Sequence, residues 1–504
     1  MSYSISRYKL ICSLVLFLVC TTAVLSVYNV NGVGWDFLSH YLNARTVSSS
    51  YFYSHLSAFA NKVAIHANYG GINHTYYVTP SLVVSKKIYF DDVWEPLPTV
   101  LIGILILVFN TFALPIYIIF LIFLLFASSY ITAKNLDLDP LLLSSIVAGP
   151  FMIKYTILYN GNEILASSFV LLAIGFIMAK DRKSGIFAGL MGLSKYASLF
   201  LLPMLLFLRK RKDILYAILL ILFVSLPWLV FNYILFGNPI QTYILQLSET
   251  QMKNHTIGMF LSAILLVIKY PLIILLIGVV AIIALKAQRK SSRNRSLKTK
   301  LKHVSNRNRN KNQVFALIAF FIISLVEFAF VFNKIQGGIR LGYMVYLSVS
   351  VMAAVVVSNK SISKLAIKVL KRKYAAKDIL PYIIFIITLS LILILYSSWA
   401  QIHFNLLGNM GFKSEQYALA VGALKSHNLS MCSVVSNAWP YLNYYNITTY
   451  SPYYCNYTMQ KMPIVVFKNF GVSNYCSGAA ENISQVLKYT NFSIYLPNNY
   501  TCIT

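Results

Sequence analysis

Four groups of polar side chains interrupt the apolar stretches of this sequence, and their types suit proton transfer and anion binding. The first is Asp36, within Gly34-Trp35-Asp36-Phe37, with Tyr41 and Ala44 following at helical spacing. The second is the run Tyr89-Phe90-Asp91-Asp92-Val93-Trp94-Glu95-Pro96-Leu97-Pro98. The third is Lys195 with Tyr196, and the fourth is the turn Gly337-Gly338-Ile339-Arg340-Leu341-Gly342-Tyr343. A carboxylate can take the proton of an attacking hydroxyl, and lysine or arginine can hold phosphate oxygens. Each residue also has a plain structural reading. Asp36 can cap a helix, Glu95-Pro96 can start one, Lys195 can snorkel toward lipid phosphates, and Arg340 can anchor at the interface. Polar side chains are costly in a bilayer, however. Two acids and two cations gathered on one side of a helical bundle therefore read as a functional site.

The elements that must hold them are membrane helices. Of the 504 residues, 58% are hydrophobic and 11% are charged, and the mean hydropathy is +0.66. A soluble chain of this length needs more charge to cover its surface. Apolar runs of about 18 residues or more recur, long enough to cross ~30 Å of hydrocarbon as helices. The net charge of +29 does not mark a nucleic-acid binder, because Lys and Arg gather in short clusters between apolar runs. These clusters lie at Lys180–Lys183, Arg209–Lys212, Lys286–Asn312 and Lys360–Lys377, and all four are expected to be cytoplasmic. The long one reads as a solvated loop that can touch anionic lipid heads. Asn-x-Ser/Thr triplets at Asn73, Asn254, Asn428, Asn446, Asn456, Asn482, Asn491 and Asn499 crowd toward the tail, which marks it as extracytoplasmic. Cys432, Cys455, Cys476 and Cys502 share that tail and suit disulfides in an oxidising compartment, with the pairing open.

One path satisfies both signals. The N-terminus is cytoplasmic and residues 9–28 form an uncleaved first span. Residues 29–98 make a long outside loop with amphipathic helices. Residues 99–133 are too long for one straight span and contain Pro115, so a kinked or broken helix is expected there. Spans near 140–158 and 164–179 follow, and the outside turn between them ends at Glu163, a further candidate. The stretch 184–208 lies between two cytoplasmic clusters and is too short for two spans. It should form two short helices that turn back partway, with Lys195 near the tip. Further spans are expected near 214–235, 259–285, 314–333, 341–358 and 379–399. The fold expected is an all-α polytopic bundle of about eleven transmembrane helices. Residues 401–504 add a small extracytoplasmic α/β domain, with β-like runs at Val434-Val435 and Pro463–Phe467.

At these residues the chain resembles the polyprenyl-phosphate-sugar-dependent glycosyltransferases of the GT-C fold. Asp36-Phe37 with Tyr41 and Ala44 is similar to the family's acidic motif in the first outside loop. Glu95-Pro96-Leu97-Pro98 resembles its acidic-Pro-Leu-Pro start of the next span, where Asp91, Asp92 and Glu95 compete for the second acidic position. Gly189-Leu190-Met191-Gly192-Leu193-Ser194-Lys195 looks like its Gly-Leu-x-x-Gly-x-(Ser/Thr)-Lys stretch. Pro227-Trp228 with Asn232, Phe236-Gly237-Asn238-Pro239, the pair Arg340 and Tyr343, and Ser436-Asn437-Ala438-Trp439-Pro440 with Tyr444 and Tyr445 complete the resemblance in order. The chain departs from the oligosaccharyltransferases in lacking a Trp-Trp-Asp-Tyr-Gly segment.

The resemblance implies inverting transfer of a sugar from a polyprenyl (dolichyl) phosphate donor to a hydroxyl on a lipid-linked glycan, protein or lipid. Asp36 would be the base, and Lys195 and Arg340 would hold the donor phosphate. No other cofactor is implied. No metal cluster is visible in the sequence, since the eight His are scattered. His40, His66 and His74 are expected at the surface or as minor sugar contacts. Partners would be the lipid-linked donor, membrane lipids and the acceptor, without nucleic acid. The membrane would be an archaeal-type cell membrane or the endoplasmic reticulum. A transporter or flippase of lipid-linked or small solutes is the main rival; its two halves should repeat, and no internal repeat is found. A non-catalytic envelope assembly protein is a second.

Overall fold

A helix that is apolar on every side has no polar face to turn to water, and the sequence contains several such runs. In the computed structural model, five helices among the described residues are long and apolar enough to cross a membrane: Tyr8–Leu25, Ala113–Asn135, Arg211–Ile234, Ile257–Val280 and Val314–Phe332. They mark a membrane protein. Arg211–Ile234 shows the lipid-facing pattern most clearly, since Leu215, Ile218, Leu219, Leu222, Phe223 and Leu226 are all exposed on it. Shorter apolar helices include Pro96–Phe109, Asn162–Met178, Ser184–Ser194, Tyr343–Val357 and Leu380–Leu395. The structure describes residues 2–31, 40–45, 63–69, 72–78, 95–159, 162–208, 210–240, 242–243, 256–291, 304–334, 342–358, 380–395, 414–438, 442, 447, 449–450, 462–467, 483–498, 500 and 502.

The chain divides into two compact units. The first comprises Met1–Leu25, Ile118–Leu226 and Met252–Ser397. The second comprises Ser26–Tyr117, Pro227–Gln251 and Ser398–Thr504, so the C-terminal segment shares its unit with the first loop.

Within the first unit, helix breaks are compensated by side chains, as an interior without water demands. The expected span near 140–158 is two helices, Pro140–Val147 and Pro150–Tyr159, parted at Ala148 and Gly149. The carbonyls released there are taken up: Tyr346 donates its hydroxyl to the Ile146 carbonyl at 2.6 Å, and Thr388 donates to that of Ser145 at 3.1 Å. Asp139 caps the first of these helices by accepting from the Leu141 and Leu142 amides at 3.0 and 3.3 Å. The same carboxylate pairs with Lys9, which ties the first helix to it.

The stretch 184–208 bends where the sequence places the bend. Helix Ser184–Ser194 ends at Lys195, whose backbone is extended (φ −159°, ψ 114°), and the 3₁₀ helix Tyr196–Phe207 follows and packs against it. The first of the two lies close on Arg211–Phe236. A Cβ added at Gly185 would fall 2.3 Å from the Ala217 carbonyl oxygen and 2.6 Å from its Cα. Backbone cannot yield as a side-chain tip does. Gly185→Ala is therefore expected to destabilise by about 1–3 kcal/mol, read as a lower melting temperature in detergent.

In the second unit, Pro96–Phe109 is followed by the 3₁₀ turn Asn110–Phe112 and the start of helix Ala113–Asn135, which belongs to the first unit from Ile118 on. The expected break is present but lies upstream of Pro115. Asn110 makes it with a positive φ of 49°, which asparagine tolerates better than most residues. Pro115 instead sits in the first turn of the next helix, where no intrahelical hydrogen bond is lost.

The first loop holds a short helix over 40–45 and a hairpin of β1 (Val63–Tyr69) and β2 (Ile72–Val78), rather than amphipathic helices alone. Its β-branched and aromatic residues favour strands, and the antiparallel register runs from Val63 opposite Val78 to Tyr69 opposite Ile72.

The C-terminal segment forms helix Ser414–Ser426 and a five-stranded sheet. Its strands are β3 (Val434–Ser436), β4 (Thr449–Tyr450), β5 (Ile464–Phe467), β6 (Ile483–Lys488) and β7 (Phe492–Pro497), in the order β4-β3-β5-β7-β6. β3 pairs in parallel with β4 and β5, whereas β7 pairs antiparallel with β5 and β6. Leu42 belongs to the core of this domain and Tyr41 packs on it, which explains why the first loop and the C-terminal segment share one unit. Cys432 and Cys502 form a disulfide, while Cys455 and Cys476 lie outside the described residues.

Asn437 replaces a strand at the end of β5: its amide donates to the Phe467 carbonyl and its Oδ1 accepts from the Phe467 amide, each at 2.9 Å. Asn437→Ala would leave both buried groups of Phe467 unsatisfied. A loss of about 2–3 kcal/mol is expected. Limited proteolysis of the full chain should then cut the C-terminal domain at lower denaturant.

Candidate functional site

Two buried polar centres stand out, one in each unit. In the first unit, the break between Ser184–Ser194 and Tyr196–Phe207 exposes no lysine to water: Lys195 is 7% exposed. Its Nζ lies 3.8 Å from Oε1 of Glu163, which is 4% exposed in the first turn of Asn162–Met178. Ser198 follows one turn later, its amide bonded to the Lys195 carbonyl at 2.9 Å. The Ser198 hydroxyl meets that of Tyr343 at 2.7 Å, and both residues are fully buried. Tyr343 opens the helix Tyr343–Val357, three residues after Arg340. A fourth participant comes from Val314–Phe332: the carboxyl of Glu327, fully buried, is acted on by the Lys195 charge. Such a centre offers an ammonium to an anion, and two carboxyl groups to a proton or a cation.

In the second unit the centre is built on the start of Pro96–Phe109. Glu95 is its N-cap by backbone, yet its carboxylate caps no amide of the first turn. Pro96 begins the helix without needing one. The carboxylate turns instead to His40, with Oε2 3.9 Å from Nε2, and both residues are fully buried. Nδ1 of His40 lies 3.0 Å from Oγ1 of Thr99, one turn along the same helix. Tyr243 stands close enough for the Glu95 charge to act on it. Burial first, then that charge, pushes the Tyr243 hydroxyl up to about 12, so it stays protonated and able to donate near neutral pH. Asn232 reaches the neighbouring Thr242 hydroxyl at 3.3 Å, near the end of the helix Arg211–Phe236, which Gly237 closes in the left-handed region (φ +68°). The fold thus brings two sequence-selected segments, around Glu95 and around Asn232, to one place.

Of the residues selected from sequence, Glu163, Lys195, Tyr196 and Tyr343 belong to the first centre or border it, and all are buried. Glu95 anchors the second. Tyr41 is partly buried against the C-terminal core. Asp36, Asp91, Asp92 and Arg340 lie outside the described residues, as do Trp439, Pro440, Tyr444 and Tyr445. One expectation is corrected: His40 is not a surface residue but 0% exposed, because it bridges Glu95 and Thr99 on the adjacent helix.

Glu327 and Tyr243 were not selected from sequence. For Glu327 a signal existed: it is the lone charged residue in the apolar run 314–332, and acids within such runs are rare and functional by default. Among the described residues no group of three His, Cys, Asp or Glu side chains is placed to hold a metal ion. In comparisons with protein families, with curated proteins and with solved structures, none matches the chain.

Proposed function

We propose that the chain is a membrane glycosyltransferase of the GT-C type. On this reading it moves a sugar, with inversion, from a polyprenyl-phosphate donor to a hydroxyl acceptor on a glycan, protein or lipid. The path is about eleven helices, with the N-terminus cytoplasmic and the C-terminal domain outside, in an archaeal-type cell membrane or the endoplasmic reticulum. The observation that carries the reading is the buried Lys195 at a helix break, one turn before Ser198, whose hydroxyl meets that of Tyr343. Helix breaks at membrane depth are tolerated where they line a cavity or are buried in protein, and a cation there suits a lipid-borne anion.

In the reaction, the acceptor oxygen bonds to the anomeric carbon as the bond from that carbon to the phosphate oxygen breaks. The hydroxyl proton passes to Asp36, and the phosphate leaves as an anion stabilised by Lys195 and Arg340. The phosphate departs ionised, so no general acid is required. The His40–Glu95 pair offers a second acidic group for the acceptor side.

The test is direct. Membranes carrying the protein, and matched membranes without it, are incubated with labelled polyprenyl-phosphate sugars. Label appearing on a hydroxyl acceptor only with the protein is the expected result. Label that crosses the membrane unchanged would replace the reading with that of a flippase. Neither outcome would leave an assembly role.

A further inference from the structure

Two of the Asn-x-Ser/Thr triplets lie on turns of the C-terminal domain that the fold brings together. Asn428-Leu429-Ser430 follows the helix Ser414–Ser426, and Asn491-Phe492-Ser493 runs from the tip of the β6–β7 hairpin into β7. The turns meet at Tyr489. Nε2 of His427, the residue before Asn428, lies 3.2 Å from the Tyr489 hydroxyl. The Tyr489 amide in turn donates to the Phe492 carbonyl at 2.9 Å, which closes the hairpin around Thr490 and Asn491.

Each asparagine also has a backbone reason for its place. Asn428 ends its helix in the left-handed region (φ +57°): its amide donates to the Lys425 carbonyl at 3.1 Å, and the Leu429 amide to that of Leu424 at 2.7 Å. Asn491 sits where a tight turn favours asparagine. These reasons do not use the side chains. An asparagine that shapes a turn through its side chain bonds the nearby backbone. Here Asn428 is exposed and Asn491 half-buried, and neither side-chain amide makes a hydrogen bond among the described residues. The surroundings suit a bulky hydrated substituent. β6 is the outermost of the five strands, with Ser484, Gln485, Val486 and Lys488 exposed along it. Open edges pair with other chains unless something bulky or charged stands beside them, and Asn491 stands at the end of this one.

We propose that Asn428 and Asn491 carry N-linked oligosaccharides, set by a separate oligosaccharyltransferase from a lipid-linked oligosaccharide. The Asn Nδ2 bonds to the anomeric carbon as the bond from that carbon to the lipid phosphate breaks. The amide gives up one proton, and the lipid phosphate leaves as an anion. Transfer reads the asparagine together with the hydroxyl two residues on. Ser430 is half-buried, but Ser493 is 8% exposed on β7, opposite Val466 of β5 and Lys488 of β6. Asn491 is therefore modified before β7 docks. The inference rests on the outside placement of the C-terminal domain and is independent of glycosyl transfer by this chain.

The full chain is made in cells with an endoplasmic reticulum, purified, and digested with peptide-N-glycosidase in ¹⁸O water. The enzyme removes the glycan and leaves an ¹⁸O-labelled aspartate, located by mass spectrometry. Label at positions 428 and 491 is the expected result. Asn428→Gly, which keeps the left-handed turn, and Asn491→Asp, which suits the hairpin, should each remove one glycan from the gel ladder of undigested protein. Ser430→Ala should match Asn428→Gly. Protease added to sealed microsomes reads sidedness separately. A protected C-terminal domain with either position unlabelled overturns the proposal there, while the topology stands. A domain cut from outside the microsomes overturns the topology and the proposal together.

Discussion

Lys195→Met is expected to reduce sugar transfer by at least about 10²–10³-fold, the usual loss when one stabiliser of developing negative charge is removed. It should also lower the stability of the protein. Methionine fills a similar volume but leaves Glu163, 3.8 Å away, and Glu327 without their ammonium. Breaking a buried pair by removing one partner costs about 3–5 kcal/mol. Yield and melting temperature in detergent should both fall, and a loss of transfer in that variant alone would be ambiguous.

The ambiguity is removed by changing the acids as well. In Lys195→Met combined with Glu163→Gln and Glu327→Gln, none of these three charges remains to be compensated, and neutral groups of similar shape often restore or exceed the stability of a buried ionic cluster. Melting temperature should return toward the wild-type value while transfer stays low, because a phosphate still finds no ammonium. Transfer that recovers together with stability would reduce Lys195 to a structural counter-ion. Lys195→Arg is a milder probe. It keeps the charge, but its planar fork does not occupy the space of an ammonium, so partial activity is expected.

Apolar run length was a sufficient guide to several of the apolar helices, because burial from water acts on composition as well as on detail. Their ends near 214–235, 314–333 and 341–358 lie within a few residues of helix Arg211–Phe236, the apolar part of Val304–Lys334, and Tyr343–Val357. The bend at Lys195 was legible for a different reason: two basic clusters left too little chain for two crossings. The break within 99–133 was legible from run length, but its residue was not, because the positive φ of Asn110 leaves no mark in the sequence.

Burial of single polar residues was the least legible feature. His40 read as a loop residue since nothing local reveals that Glu95 and Thr99, far along the chain, will close over it. The hairpin at Val63–Tyr69 and Ile72–Val78 was hidden by the expectation that a loop between spans is helical. β6 and β7 are hard to read from sequence because six residues carry little alternation. Glu327 lies inside an expected span, where a solitary acid is itself the signal.

Asp36→Asn should lower the rate of transfer by about 10²–10⁴-fold, the range attributed to a positioned general base, with apparent affinity for the donor little changed. Asparagine is close to aspartate in size and shape, so insertion and melting should be unaffected. The choice of asparagine also separates the two roles open to this position. As a helix N-cap, Asn serves about as well as Asp, so a capping residue would lose neither stability nor activity on this exchange. An Asp36→Ala variant lacks that discrimination, since it removes cap and base together. Glu95→Gln is the natural companion: it keeps the shape of the acid at the buried pair with His40 but removes its charge. If Asp36→Asn is inactive and Glu95→Gln retains measurable transfer, the base is Asp36 and the second centre serves the acceptor. Full activity in Asp36→Asn with none in Glu95→Gln would instead move proton acceptance to the His40–Glu95 centre, where Thr99 holds the imidazole and Tyr243 remains a donor.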